Sequence, residues 1–222
     1  MSIRYGMKTA LQVATLAATS LFVSNAFTST LSTMAPSHVD SQQSAAQAVT
    51  PHNLALAQGA EKQVGKTLYY DPSYTSLDYP GGDVPIIRGV CSDVVVRALR
   101  EQGNDLQQLL HQDMKSNFAA YPHLWQLKKP DVNIDQRRVP NLEFYFQRHK
   151  MSQPITQLAK DYLPGDIVSW RLDNGLAHIG IVSSKRSPTG TPLVVHNIGA
   201  GAQIEDVLFS WKIKGHYRYF TH

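Results

Sequence analysis

An α+β fold is predicted from three observations. Apolar residues recur at helical spacing between Asn53 and His149, and short alternating apolar runs replace them beyond Pro164. Asp-Asn-Gly, Ser-Pro-Thr-Gly and Gly-Ala-Gly turns separate those runs. Helices followed by an antiparallel meander give an α+β domain, with N-terminal helices packed on a C-terminal β-sheet. The chain has 222 residues, 42% hydrophobic and 17% charged, which suits one domain with a real core.

The elements follow in order. Residues 1–26 read as an export signal. Arg4 and Lys8 precede a mildly apolar stretch at 10–23, and Ser24-Asn25-Ala26 offers small residues for cleavage. The stretch is too short and too diluted by Gln12, Thr15, Thr19 and Ser20 for a comfortable membrane span, the alternative being an uncleaved anchor. Residues 27–52, rich in Ser, Thr, Ala and Gln, read as a flexible linker. The folded domain, 53–222, is expected to start with a helix capped by Asn53 and carrying Leu54, Ala57, Ala60 and Val64. Breakers at Asp71-Pro72, Pro80-Gly81-Gly82 and Pro85 make 69–85 a loop.

A helix beginning near Cys91 carries Val94, Val95, Ala98 and Leu99 and stops at Gly103. Further helices are expected at 105–120 and 141–149, and strands at 167–172, 176–184, 193–198 and 211–220. The net charge of +4 carries no dense Lys/Arg run, so nucleic acid is not an expected partner. An anionic polymer such as a cell wall fits that charge.

Cys91 is the only cysteine, so no internal disulfide can explain it. A helix start favours thiolate over thiol, whereas the plain alternative is a small buried hydrophobe. His178, in Ala177-His178-Ile179-Gly180-Ile181-Val182, and His196, in Val195-His196-Asn197, lie on consecutive expected strands. A hairpin at 187–190 would make the two histidines cross-strand neighbours, one orienting the other. Gly180, on the His178 face, would leave open space beside the imidazole. With the thiol facing this pair, the three residues read as nucleophile, base and orienter. The competing reading takes Cys91, His178 and His196 as zinc ligands, with His216 or water as a fourth.

Leu163-Pro164-Gly165-Asp166-Ile167-Val168-Ser169-Trp170 followed by Ala177-His178-Ile179-Gly180-Ile181-Val182 resembles two strands of the NlpC-type cell-wall cysteine peptidases, which have a papain-like fold. The resemblance covers residues 91–198 in spaced pieces. That family often has Asp-Cys-Ser; here Val90-Cys91-Ser92-Asp93 puts the acid two residues after the cysteine. The long segment 113–142 is also atypical, which suggests a branch of unknown function in the same superfamily.

The resemblance implies an exported amidase or endopeptidase that cuts amide bonds in peptidoglycan peptides, without a cofactor. Cys91 would attack the carbonyl, His178 would move the proton and His196 would hold His178, with Asn197 as fallback orienter. The Cys91 N–H and Tyr74 or Tyr79 would serve an oxyanion. Arg137 and Arg138 read either as a salt-bridged loop or as a clamp for a substrate carboxylate. Asp93 reads as a helix-stabilising carboxylate. The enzyme would remodel its own wall, or act as an antibacterial effector with a cognate immunity or inhibitor protein as partner. A non-catalytic wall-peptide-binding domain is the alternative.

Overall fold

The computed structural model describes residues 49–221. The expected signal and most of the expected linker lie outside them. Helix α1 (Pro51–Glu61) starts inside the segment expected to be linker. Thr50, not Asn53, is its cap, because the Thr50 hydroxyl accepts from the Asn53 N–H at 3.1 Å. Pro51 suits the first turn, where no N–H is needed. Asn53 is buried in the helix instead.

A two-residue parallel pair follows, β1 (Tyr69–Tyr70) and β2 (Arg88–Gly89). Helix α2 (Cys91–Glu101) begins immediately after it, with Cys91 as its first residue. Val94, Val95, Ala98 and Leu99 are wholly buried, and each large one contributes about 1.5–3 kcal/mol by leaving water. Helices α3 (Leu106–Asn117) and α4 (Val139–Arg148) complete the helical layer. The Asp105 carboxylate caps α3 by accepting from the Gln107 N–H.

The sheet is wholly antiparallel. Strands β3 (Ile167–Arg171), β4 (Ala177–Arg186), β5 (Pro192–Asn197), β6 (Ala202–Glu205) and β7 (Lys212–Tyr217) lie in the order β6-β5-β4-β3-β7. The expected strands are present, with β7 shorter than its expected range. The paired strands β1 and β2, and β6, were not anticipated. Ile167, Ile179, Ile181 and Val195 pack on the helices. Val168, Trp170, Val182 and Val194 form a second core beneath Leu208, with Val207, Phe209 and Trp211 packed against it. Each sheet face therefore has its own apolar cover.

The Pro164-Gly165-Asp166 turn has a structural role. Gly165 takes φ +84°, and a side chain there would collide with the Asn53 carbonyl of α1. Asp166 is fully buried. Its carboxylate accepts from the Leu163 N–H at 2.8 Å and from Arg218 Nε and Nη2 at 2.7 Å each, and it meets His216 Nε2 at 2.8 Å. The other His216 nitrogen faces the Pro154 carbonyl at 2.9 Å, and the ring stacks on Tyr162. One carboxylate thus ties the start of β3 to the chain leaving β7.

Removing one partner of a buried ion pair leaves the other charge unmatched. Asp166→Ala is therefore expected to lower the unfolding free energy by about 3–5 kcal/mol, read by urea denaturation. A loss under about 1 kcal/mol would contradict that role.

Candidate functional site

A cleft of about 720 Å³ is lined in part by Cys91. Tyr70, Arg138, Glu143, Arg171 and Ala177 are among its walls. Cys91 is 4% exposed. Burial pushes the thiol up to about 12, outweighing the backbone N–H groups of Ile179, Ser92 and Cys91 that favour the thiolate. The nearby Asp93 carboxylate raises it further. Burial thus opposes the thiolate expected at the helix start, because desolvation outweighs the backbone N–H groups.

The start of α2 is built around Asp93. Its carboxylate accepts from the Val90 N–H at 2.7 Å, as a first-turn carboxylate should, and pairs with Arg137 at 3.1 Å. Arg137 also donates to the Ser73 and Asp71 carbonyls at 2.9 Å each. It bolts the cysteine helix to the 71–73 loop, with both side chains nearly out of water.

The two histidines meet each other but not the cysteine. His178 Nε2 lies 2.8 Å from His196 Nδ1, and the rings stand edge to face. Both are buried, beside Trp170 and Trp211 for His178 and beside Trp211 for His196. Along β4 the side chains alternate. Ala177, Ile179 and Ile181 face the helices and Cys91, whereas His178, Gly180 and Val182 face the second core. The histidine side chains thus belong to the opposite face of their strands from the core that holds Cys91, and among the described residues no hydrogen bond joins the thiol to either ring.

Among the described residues the expected Cys91-His178-His196 constellation is present only as its histidine pair, without a thiol–imidazole hydrogen bond, and no group of three or more such side chains could hold a zinc ion. The space expected beside Gly180 is filled by Val194 and the His196 Cβ.

Burial, and then the neighbouring His196, pull His178 down to about 3. Burial also lowers His196, while Glu205 pulls the other way. His196 Nε2 sits 2.8 Å from the half-exposed Glu205 Oε2. The contact is close, but the ring N–H is not aligned as a good hydrogen bond. The carboxylate favours a proton on His196 Nε2, leaving Nδ1 to accept from His178 Nε2–H. Glu205 escaped sequence reasoning because β6 is four residues long and partly polar. Its signal was the alternation of residues 202–205 after the Gly-Ala-Gly turn.

The remaining candidates fall in several places. The Tyr74 hydroxyl meets Asp131 at 3.1 Å and accepts from Asn133 at 2.8 Å, so it tethers two loops. Tyr79 packs edge-on to His111. Neither lines the Cys91 cleft; Tyr70 does, and burial pushes its hydroxyl up to about 12. Asn197 lies one residue from His196 and so on the cysteine side of the sheet. There it donates to the carbonyls of Gly89 at 3.0 Å and Tyr69 at 3.3 Å, clamping β1 and β2. Arg138 lines the cleft, stacks over the Trp125 ring at 4.2 Å and pairs with Asp135 at 3.3 Å. Burial raises Asp135 to about 6.

Residues 57–219 match the family described as "Domain of unknown function (DUF1287)". This chain belongs to the DUF1287 family. It is 66% identical over 169 residues to "Uncharacterized protein YijF" of Escherichia coli strain K12, covering 76% of this chain and 82% of that protein. Among solved structures it has a faint likeness to "Structure of NlpC1 from Trichomonas vaginalis", with a TM-score of 0.35 and 16% identity. That match covers 74% of this DUF1287 chain and 44% of the other. The α+β class stands on the architecture itself. Among the described residues, no helix is long and apolar enough to cross a membrane, and no group of three or more His, Cys, Asp and Glu side chains could hold a metal ion.

The histidine pair sets a pH dependence. A histidine that titrates near 3 when folded and near its ordinary 6.5 when unfolded binds fewer protons in the folded state. Its penalty is absent above about 6.5, and stability falls as pH drops from there towards 3, by about 1.4 kcal/mol per unit. Asp135 acts in the opposite sense, but equally in any His178 variant. Denaturation between pH 7 and 4 should show a shallower loss in His178→Gln than in the wild type. Equal slopes would contradict the burial of a neutral His178.

Proposed function

We propose that the cleft over Cys91 receives a peptide segment, and that the domain recognises bacterial cell-wall peptides. The observation that carries this reading is the placement of Cys91: it lines a cleft of the described residues, yet its thiol is hydrogen-bonded to neither histidine. A cleft of about 720 Å³ suits a short peptide. Exposed Leu124, Trp125 and Leu176, from two separate segments, offer apolar contact at its walls. The protonated thiol then packs as a small apolar group against the ligand. The resemblance of the Pro-Gly-Asp and Ala-His-Ile-Gly segments to cell-wall peptidases supports the wall as the source of the peptide. The signal-like residues 1–26 support the periplasm or the cell exterior as the place of action.

Amide hydrolysis is the second reading, favoured by the Ile179, Ser92 and Cys91 N–H groups around the sulfur. The Cys91 sulfur would add to the peptide carbonyl as a base takes the thiol proton, the base would return that proton to the departing amine, and water would then split the thioester into a carboxylic acid and the free thiol. The thiol proton must go to a base, and His178 could take it only if β4 turned its other face to the helix. Own-wall remodelling and delivery into a competitor both belong to this reading.

Wild type and Cys91→Ala are to be incubated with purified peptidoglycan, with binding read by co-sedimentation and cleavage by fragment analysis. Recognition predicts that both bind and neither releases fragments, with or without a chelator. It also predicts that iodoacetamide modifies native Cys91 at least about a hundredfold more slowly than in urea. Fragments from the wild type that vanish in Cys91→Ala would establish the second reading. Absence of wall binding would overturn the first.

A further inference from the structure

The cations of the Cys91 cleft are unequally occupied. Arg137, Arg138, Arg171 and Lys214 all line it. Arg137 is matched by the Asp93 carboxylate at 3.1 Å, and its remaining donors reach two backbone carbonyls. Arg138 is matched by Asp135 at 3.3 Å and covered by Trp125. Arg171 holds Glu143 in a two-bond fork of 2.8 and 2.7 Å, so the one carboxylate on the cleft wall is already consumed. Lys214, exposed on β7, makes no ion pair or hydrogen bond with any described residue.

Three cleft cations thus face one carboxylate each, and the fourth faces none. The positive charge left over sits on Lys214, in the part of the wall built from α4, β3 and β7. Gln147, one turn after Glu143 on α4, also lines the cleft and brings a side-chain amide. A bound anion there would meet an ammonium with no competing acid, because Arg171 screens Glu143.

We propose that Lys214 is the anchor for a free carboxylate of the bound ligand, so that the cleft selects acidic peptides over their amidated forms. This rests on the reading of the cleft as a peptide site. The ammonium has three donors on a flexible stem and can follow either a chain-terminal or a side-chain carboxylate. Arg137 and Arg171 remain part of the scaffold in this assignment, because drawing either to a ligand would strip a buried acid of its partner.

The test uses soluble muropeptides released from purified peptidoglycan by a muramidase, and the same muropeptides with their carboxylates converted to amides. Affinities are measured by calorimetry for wild type, Lys214→Ala and Lys214→Arg. The wild type should bind the free acids about tenfold more tightly than the amides. Lys214→Ala should bind the two forms equally, and Lys214→Arg should keep the preference. Equal wild-type affinity for both forms, or a preference that survives Lys214→Ala, would overturn the assignment while leaving the peptide site standing. A wild type that binds neither form would overturn the peptide site itself. Lys214 is exposed, so loss of folding does not confuse the reading.

Discussion

Side chains along β4 alternate between two buried faces, and the arrangement of this molecule rests on that alternation. Helix α2 lies against the face carrying Ala177, Ile179 and Ile181, and it brings Cys91 with it. The face carrying His178, Gly180 and Val182 is sealed by the second core and by Trp211. A shift of one residue in the register would exchange the two sets. With both faces covered by apolar side chains, such a shift would expel Ile179 and Ile181 from the helical core, so the register is firmly set.

Burial then decides protonation on each side. Moving a thiol out of water favours its neutral form, and moving an imidazole out of water favours its neutral form too. The first effect pushes Cys91 up and the second pulls His178 down, which is the reverse of a thiolate–imidazolium pair. Backbone N–H groups around the sulfur oppose the trend without overcoming it. The polar chemistry of the cleft lies in its cations, whose partners are set by the same economy of buried charge. Asp93, Glu143 and Asp135 each neutralise one arginine that would otherwise stand alone.

Much of the fold was legible in the sequence, because periodicity speaks directly to element type. Val94, Val95, Ala98 and Leu99 announced α2, and alternation around His178 announced β4. Short elements were illegible for the same reason: two residues in β1 or β2 carry no period, and Gln203 and Glu205 in β6 read as loop. The pairing of His178 with His196 was legible from a hairpin and strand alternation. The side from which α2 would approach was not, because a strand buried on both faces has apolar residues on both. Asp166 shows another limit. Its motif marked a resemblance, while its partners His216 and Arg218 lie fifty residues further on, where only the folded chain brings them together.

The separation of Cys91 from the histidine pair is most directly tested by the side-chain nitrogens themselves. Long-range ¹H–¹⁵N spectra of the histidine rings, recorded for wild type and Cys91→Ser across pH, report the tautomer and titration of His178 and His196. Neutral rings joined to each other, with positions and titration unchanged by the cysteine substitution, are the predicted result. A His178 ring whose nitrogen shifts or titration move when the thiol is replaced would contradict the account, since it would place thiol and imidazole in contact.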